Sequence, residues 1–100
     1  MLNSRQRAQL RAMANSLDTI LQVGKGGITD NVVTQVKDAL AARELVKGRV
    51  LEASLLTARE AGDELALRTG AETVFTIGSR FVLYKESREL PKEKRISLVK

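Results

Sequence analysis

Gly24-Lys25-Gly26-Gly27 is the stretch of this sequence best suited to meet a ligand. Three glycines in four residues open backbone conformations closed to other residues and let the main chain lie against a bound group. Successive N–H groups in such a turn make a concavity for anions, and the lysine adds a full positive charge, so the matching chemistry is contact with phosphate. A plain strand-to-helix turn would use one glycine, which leaves the other two unexplained by turn formation. Further candidate phosphate contacts are Arg7 and Arg11, one turn apart on a helical pattern, and Lys47, Arg49, Arg80 and Lys85, on or beside strand patterns. Arg7 and Arg11 repel each other slightly unless something anionic sits between them.

Other chemistries lack their residues. With no Cys and no His in 100 residues, a disulfide framework, a thiolate or imidazole metal site and the usual nucleophile–base pairs are excluded. No cofactor or small-molecule substrate is expected. The glycine stretch also lacks the final glycine of a dinucleotide fingerprint and the lysine spacing of a P-loop, which argues against a nucleotide-binding enzyme fragment. No apolar run approaches the length of a membrane span or a signal-peptide core, so a cytoplasmic protein with no membrane partner is expected.

The net charge of +5 and pI near 10.0 favour an anionic partner, and their distribution says more than the total. Arg5, Arg7, Arg11 and Lys25 face only Asp18 in the first 26 residues, and the segment after Ser79 is again rich in Lys and Arg. Between them, Glu60, Asp63, Glu64 and Glu72 make an acidic stretch.

The elements that must hold the glycine turn are legible from periodicity and caps. Asn3 and Gln6 suit an N-cap pair, and Leu10, Met13, Ala14 and Leu17 recur at helical spacing, predicting a helix over about 4–16. A strand over 19–23 leads into the turn, and Thr29 caps a second helix of about 30–43 that buries Val32, Val33, Val36 and Leu40. Asp30 already supplies an anion to that helix's first turn, so phosphate is expected on the loop rather than the helix end. A strand over 44–51 puts Val46, Gly48 and Val50 on one face and Lys47 with Arg49 on the other. Thr57 and Glu60 form a capping box for a third helix that Gly70 ends. Residues 73–77 and 80–84 flank Gly78-Ser79, a pair suited to a type II′ hairpin. The order is αβαβαββ, an α+β domain over residues 1–85 in which strand-helix-strand units join parallel strands and the hairpin adds an antiparallel one. Residues 86–100, charged and interrupted by Pro91, are expected to form a loosely held basic tail.

Val23 to Thr29, Glu44 to Lys47 and Ile77 to Tyr84 together resemble the YhbY family, the stand-alone bacterial form of the chloroplast RNA splicing and ribosome maturation (CRM) domain. The likeness runs from residue 1 to about 85 without gaps. It implies a two-layer domain similar to the C-terminal domain of the third bacterial translation initiation factor, with a mixed four-stranded sheet whose one face is largely open. It further implies RNA binding, the bacterial members being associated with precursors of the large ribosomal subunit and the plant members with intron splicing. The family's GxxG loop falls on Gly24, Lys25, Gly26 and Gly27. Gly48 departs from expectation, standing where a strand would favour a β-branched residue.

The function these features suggest is recognition of structured RNA, ribosomal RNA in a large-subunit precursor, through its backbone. The Gly24 to Gly27 amides and Lys25 would grip phosphates, with Arg7, Arg11, Lys47, Arg49, Arg80 and Lys85 extending the positive surface. Phe75, Phe81 and Tyr84 are the only aromatics, and Phe75 and Phe81 suit a core better than a stacking platform for bases. A different class of function, docking of a basic protein partner on the acidic third helix, is the alternative.

Overall fold

Local capping decides where the helices begin. In the computed structural model, which describes residues 1–100, α1 spans Ser4–Ala14, α2 Asp30–Arg43 and α3 Ala58–Thr69. The Asn3 side chain accepts from the Gln6 N–H at 2.9 Å while the Gln6 side chain accepts from Asn3 at 3.0 Å. Thr57 and Glu60 repeat this exchange at 3.1 and 2.9 Å, and Thr29 accepts from Val32 N–H at 3.2 Å. Each cap satisfies amides that a helix start leaves without partners and is worth about 1 kcal/mol. Gly70 ends α3 in the left-handed region, with φ 77°. The first helix stops two residues short of the expected 16, with Asn15 and Ser16 forming a turn.

Four strands, β1 (Leu21–Val23), β2 (Leu45–Val50), β3 (Glu72–Ile77) and β4 (Arg80–Tyr84), form one mixed sheet in the order β1-β2-β4-β3. β1 and β2 are parallel neighbours across α2, as a strand-helix-strand unit requires. The second unit differs from expectation. β2 and β3 run in the same direction but do not touch, because β4 lies between them, antiparallel to both. Burial accounts for the insertion: Phe81, Val82, Leu83 and Tyr84 are all buried, whereas β3 has a half-exposed pattern suited to an edge. Gly78 has φ 56° and Ser79 has no positive φ, which fits the type II′ turn.

The sheet is covered on both faces. α2 and α3 pack on one, where Val36, Leu40, Ala61 and Leu65 meet Val23, Val46, Phe81 and Leu83. Leu10 and Ala14 of α1 pack on the other against Leu45, Val74, Val82 and Tyr84, joined by Ile96 and Leu98 from the C-terminal segment. The face implied to be largely open is therefore open only toward the ends of β3 and β4 beyond α1.

Gly48 has a packing explanation. It pairs across strands with Phe81, and a Cβ there would stand 2.7 Å from Phe81 Cε2, closer still to Cζ, and 3.1 Å from Leu21 Cβ. The ring fills the space that a side chain would take, so the glycine marks a tight strand rather than a weak one.

Residues 86–100 are held down, contrary to the loose tail expected from their charge. Glu44 is fully buried and ends α2 at φ 63°. Its carboxylate accepts the Ser87 N–H at 2.7 Å and the Ile96 N–H at 2.6 Å, while Ser87 Oγ donates to Ala41 O. Further along, the Gln9 side chain donates to Ser97 O and accepts from Val99 N–H, both at 2.8 Å. Two amides closing on one carboxylate are strong, charge-assisted bonds, and they fasten a polar segment that hydrophobicity alone would not hold.

Tyr84 lies beside this clamp. Burial, with the Glu44 and Glu86 carboxylates adding to it, pushes its phenol above the usual value of 10.0. The folded state thus keeps the proton to higher pH than the unfolded chain does. Its contribution to stability is complete below about pH 10 and is lost as pH rises through the folded value. Urea unfolding between about pH 8 and about pH 11 should show a steeper alkaline loss for the native chain than for Tyr84→Phe. Parallel curves for the two would show that another group governs that range.

Candidate nucleic-acid interface

β1 delivers the chain to a tight turn. The Gly24 carbonyl accepts the Gly27 N–H at 3.0 Å, Lys25 and Gly26 are exposed at the tip, and α2 begins three residues after Gly27. The Lys25 and Gly26 amides donate to no acceptor within the protein. Within the turn only Gly27, at φ 70°, has a backbone conformation that disfavours other residues. A Cβ on Gly24 would lie 3.7 Å from Leu51 Cδ1 and one on Gly26 3.6 Å from Thr29 Cγ2, both ordinary contacts. The fold therefore explains one glycine of the three and leaves Gly24 and Gly26 to an outside partner or to none.

The other candidate cations divide into two groups. Arg7 is engaged: NH2 meets Glu72 Oε2 at 3.3 Å and NH1 donates to Thr73 O at 2.8 Å and Val74 O at 3.2 Å. The anion beside Arg7 is thus Glu72, from the protein itself. Lys47 Nζ donates to Ala14 O at 3.1 Å and Leu17 O at 3.4 Å, closing the C-terminal end of α1. Lys85 Nζ does the same for α3 through Thr69 O at 2.8 Å, at the opposite end of β4 from the hairpin. These three ammonium or guanidinium groups satisfy backbone carbonyls, a use that fits the negative end of a helix for the two lysines.

Lys25, Arg11, Arg49 and Arg80 make no salt bridge. Arg49 and Arg80 are register partners across β2 and β4, one residue from the sheet end that carries the glycine turn and the β3–β4 hairpin. Both project to the α1 face, opposite Phe81, and Arg49 Nε is buried without a hydrogen-bond partner. Arg11 lies over Phe75, 5.0 Å from the ring centroid. Phe75 is half-buried, and Ile77 beside it is 58% exposed. Ile77 was not singled out as a site residue from the sequence. The signal was its hairpin register, since a two-residue loop sets Ile77 opposite Arg80.

The acidic stretch is paired within the chain. Glu60 is spent on the α3 cap, Asp63 meets Arg59 at 3.3 Å and the Thr73 hydroxyl at 2.8 Å, Glu64 meets Arg68 at 2.9 Å, and Glu72 holds Arg7. Little unmatched negative charge is left on that side for a basic protein. Among all residues no group of acidic side chains is arranged to hold a metal ion, and no helix is long and apolar enough to cross a membrane.

A glycine turn between strand and helix, at one end of a mixed αβαβαββ sheet, defines a class, and the sequence matches the CRS1/YhbY (CRM) domain over residues 2–85. The chain belongs to this family. It is 43% identical over 89 residues to "Probable RNA-binding protein YqeI" of Bacillus subtilis (strain 168), a match covering 89% of this chain and 93% of that one. It is 32% identical over 88 residues to an RNA-binding protein of Haemophilus influenzae, covering 88% and 89% of the two chains. Among solved structures it is similar to SAV1595 of Staphylococcus aureus, put forward as an RNA-binding protein. There the TM-score is 0.71 and the identity 38%, with 99% of this chain and 100% of that one covered. These relatives are described as RNA-binding proteins and not as enzymes.

Proposed function

We propose that this domain binds structured RNA by laying the 24–27 turn against the sugar-phosphate backbone, and that its RNA is ribosomal RNA in precursors of the large subunit, in the cytoplasm. The observation that carries the reading is the pair of glycines, Gly24 and Gly26, at positions where the fold itself would accept a side chain. Their bareness matters for something that approaches from outside. The free amides of Lys25 and Gly26, with the Lys25 ammonium, offer donors and charge to phosphate oxygens. Arg11, Arg49 and Arg80 continue the positive surface, while Arg7, Lys47 and Lys85 serve the fold first. RNA binding by the named relatives and the maturation role in the family's name support the same assignment.

Substitution separates the turn's two roles. Gly26→Ala should leave stability unchanged or raise it by up to about 1 kcal/mol, since φ and space are both permissive, yet weaken RNA binding. Gly26→Asp should weaken it by about tenfold or more, through charge as well as bulk. Filter binding to large-subunit ribosomal RNA, with circular dichroism as the control, is the measurement. Undiminished affinity of both variants would remove the turn from the interface. Crosslinking in cells followed by sequencing of the RNA adducts tests the target, and adducts spread in proportion to RNA abundance would rule out a ribosomal preference.

A further inference from the structure

The open end of the α1 face holds a groove of about 420 Å³ between the C-terminal end of α1 and the β3–β4 hairpin. Its lining includes Arg11, Lys47, Phe75, Ile77 and Arg80, and one carboxylate, Asp18. That volume lies in the range of small-molecule sites. Lys47 is already committed to the carbonyls of Ala14 and Leu17, and Asp18 forms no salt bridge with the arginines.

Arg49 does not line this groove but stands at its edge beside Arg80, and there two features have no counterpart within the chain. Arg49 and Arg80 stand directly opposite each other on neighbouring strands, an arrangement that like charges destabilise unless an anion lies between them. The buried Nε of Arg49 has no acceptor, and leaving such a donor unmet is unfavourable. Beside this pair, Phe75 carries the Arg11 guanidinium on its face and Ile77 exposes apolar surface. A bare phosphate surface has no use for an apolar floor. A nucleotide uses both, since its phosphate wants guanidinium groups and its base wants a flat partner, for which a guanidinium plane serves as well as an aromatic ring.

We propose that this groove receives one unpaired nucleotide of the bound RNA, its base on the Arg11 guanidinium that Phe75 supports and its phosphate at the groove's edge, between Arg80 and the neighbouring Arg49. The site lies within reach of the glycine turn: Gln22, two residues before Gly24, is the register neighbour of Arg49, so Gln22 and Arg80 are separated by about 10 Å, two strand spacings. The proposal rests on the RNA-binding reading and adds to it a preference for structured RNA interrupted by an unpaired base. A base-stacking platform is thus built from one arginine and one partly buried ring, which the scarcity of aromatic residues had argued against.

Two RNA hairpins test it, identical except that one is fully paired and the other carries a single bulged 2-aminopurine. The full-length native protein should bind the bulged hairpin about tenfold more tightly and change the emission of the 2-aminopurine on binding. Arg11→Gln should abolish both the preference and the emission change. Arg11 is exposed and makes no hydrogen bond, so this variant is expected to keep its fold. Gly26→Asp should weaken both hairpins alike and preserve the preference. Equal binding of the two hairpins by the native protein, or a preference that survives Arg11→Gln, overturns the groove assignment. If Gly26→Asp changes neither affinity while the Arg11-dependent preference persists, the groove stands and the turn's role falls.

Discussion

Gly48→Ala destabilises the domain, and Gly48→Val destabilises it further, by about 3 kcal/mol or more. In most strands the change from glycine to a residue with a side chain is favourable, so the expected sign is the reverse of the general rule. The reason is the Phe81 ring, which lies across Gly48 within 2.7 Å of where a Cβ would stand and is itself fully buried beneath α3. A Cβ on Gly62 of α3 would be 3.2 Å from Phe81 Cβ, so the ring is confined on its helix side as well. Neither neighbour can withdraw without opening the core, because interiors at crystal-like density transmit such strain. Each kcal/mol lowers the melting temperature of a domain this size by about 4–8 °C, so thermal unfolding resolves the effect. Phe81→Leu in the Gly48→Ala background should recover part of the loss, and the two substitutions should be non-additive. A stabilising Gly48→Ala would mean that the ring lies elsewhere.

Glu44→Ala has the second large effect, about 3 kcal/mol, and it falls mainly on the C-terminal segment. The substitution removes the acceptor of both the Ser87 and Ile96 amides, each a charge-assisted bond in a poorly solvated place. It also leaves a residue with a Cβ and no compensating bonds at φ 63°. Ile96 and Leu98 then lose the anchor that sets them against Val82 and Tyr84. Limited trypsin digestion should cut the variant after Arg88, Lys92, Lys94 or Arg95 much faster than the native chain, while residues 1–85 remain protected. Equal digestion rates, with equal stability, would show that the apolar contacts of Ile96 and Leu98 suffice to hold the segment.

The features legible from sequence are those whose partners are near in the chain. Asn3 with Gln6, Thr29, and Thr57 with Glu60 fix helix starts within three residues, and Gly78-Ser79 fixes a hairpin, so elements and their order follow from local pattern. The glycine turn was equally plain, and so was the αβαβαββ order. The position of β4 between β2 and β3 was not, because it depends on which strand is buried on both faces once the helices are in place. Nor was the clamp at Glu44, which reads as the first residue of a strand and acts on amides 43 and 52 residues away. The cations show the same limit. Arg7, Lys47 and Lys85 look in sequence like Arg11, Arg49 and Arg80, but the first three meet backbone carbonyls, and no side-chain pattern announces a carbonyl as partner.

The central place of β4 bears on how the chain reaches its native state. Residues 80–84, the last of the sheet to be synthesised, separate β2 from β3, so β3 has no neighbour and β2 has only β1 until the hairpin emerges. Until then the pair β1–β2 presents an unpaired edge, and the apolar side of α3 has no Phe81 to close upon. Ribosomal synthesis therefore delivers most of the molecule before its sheet can be completed.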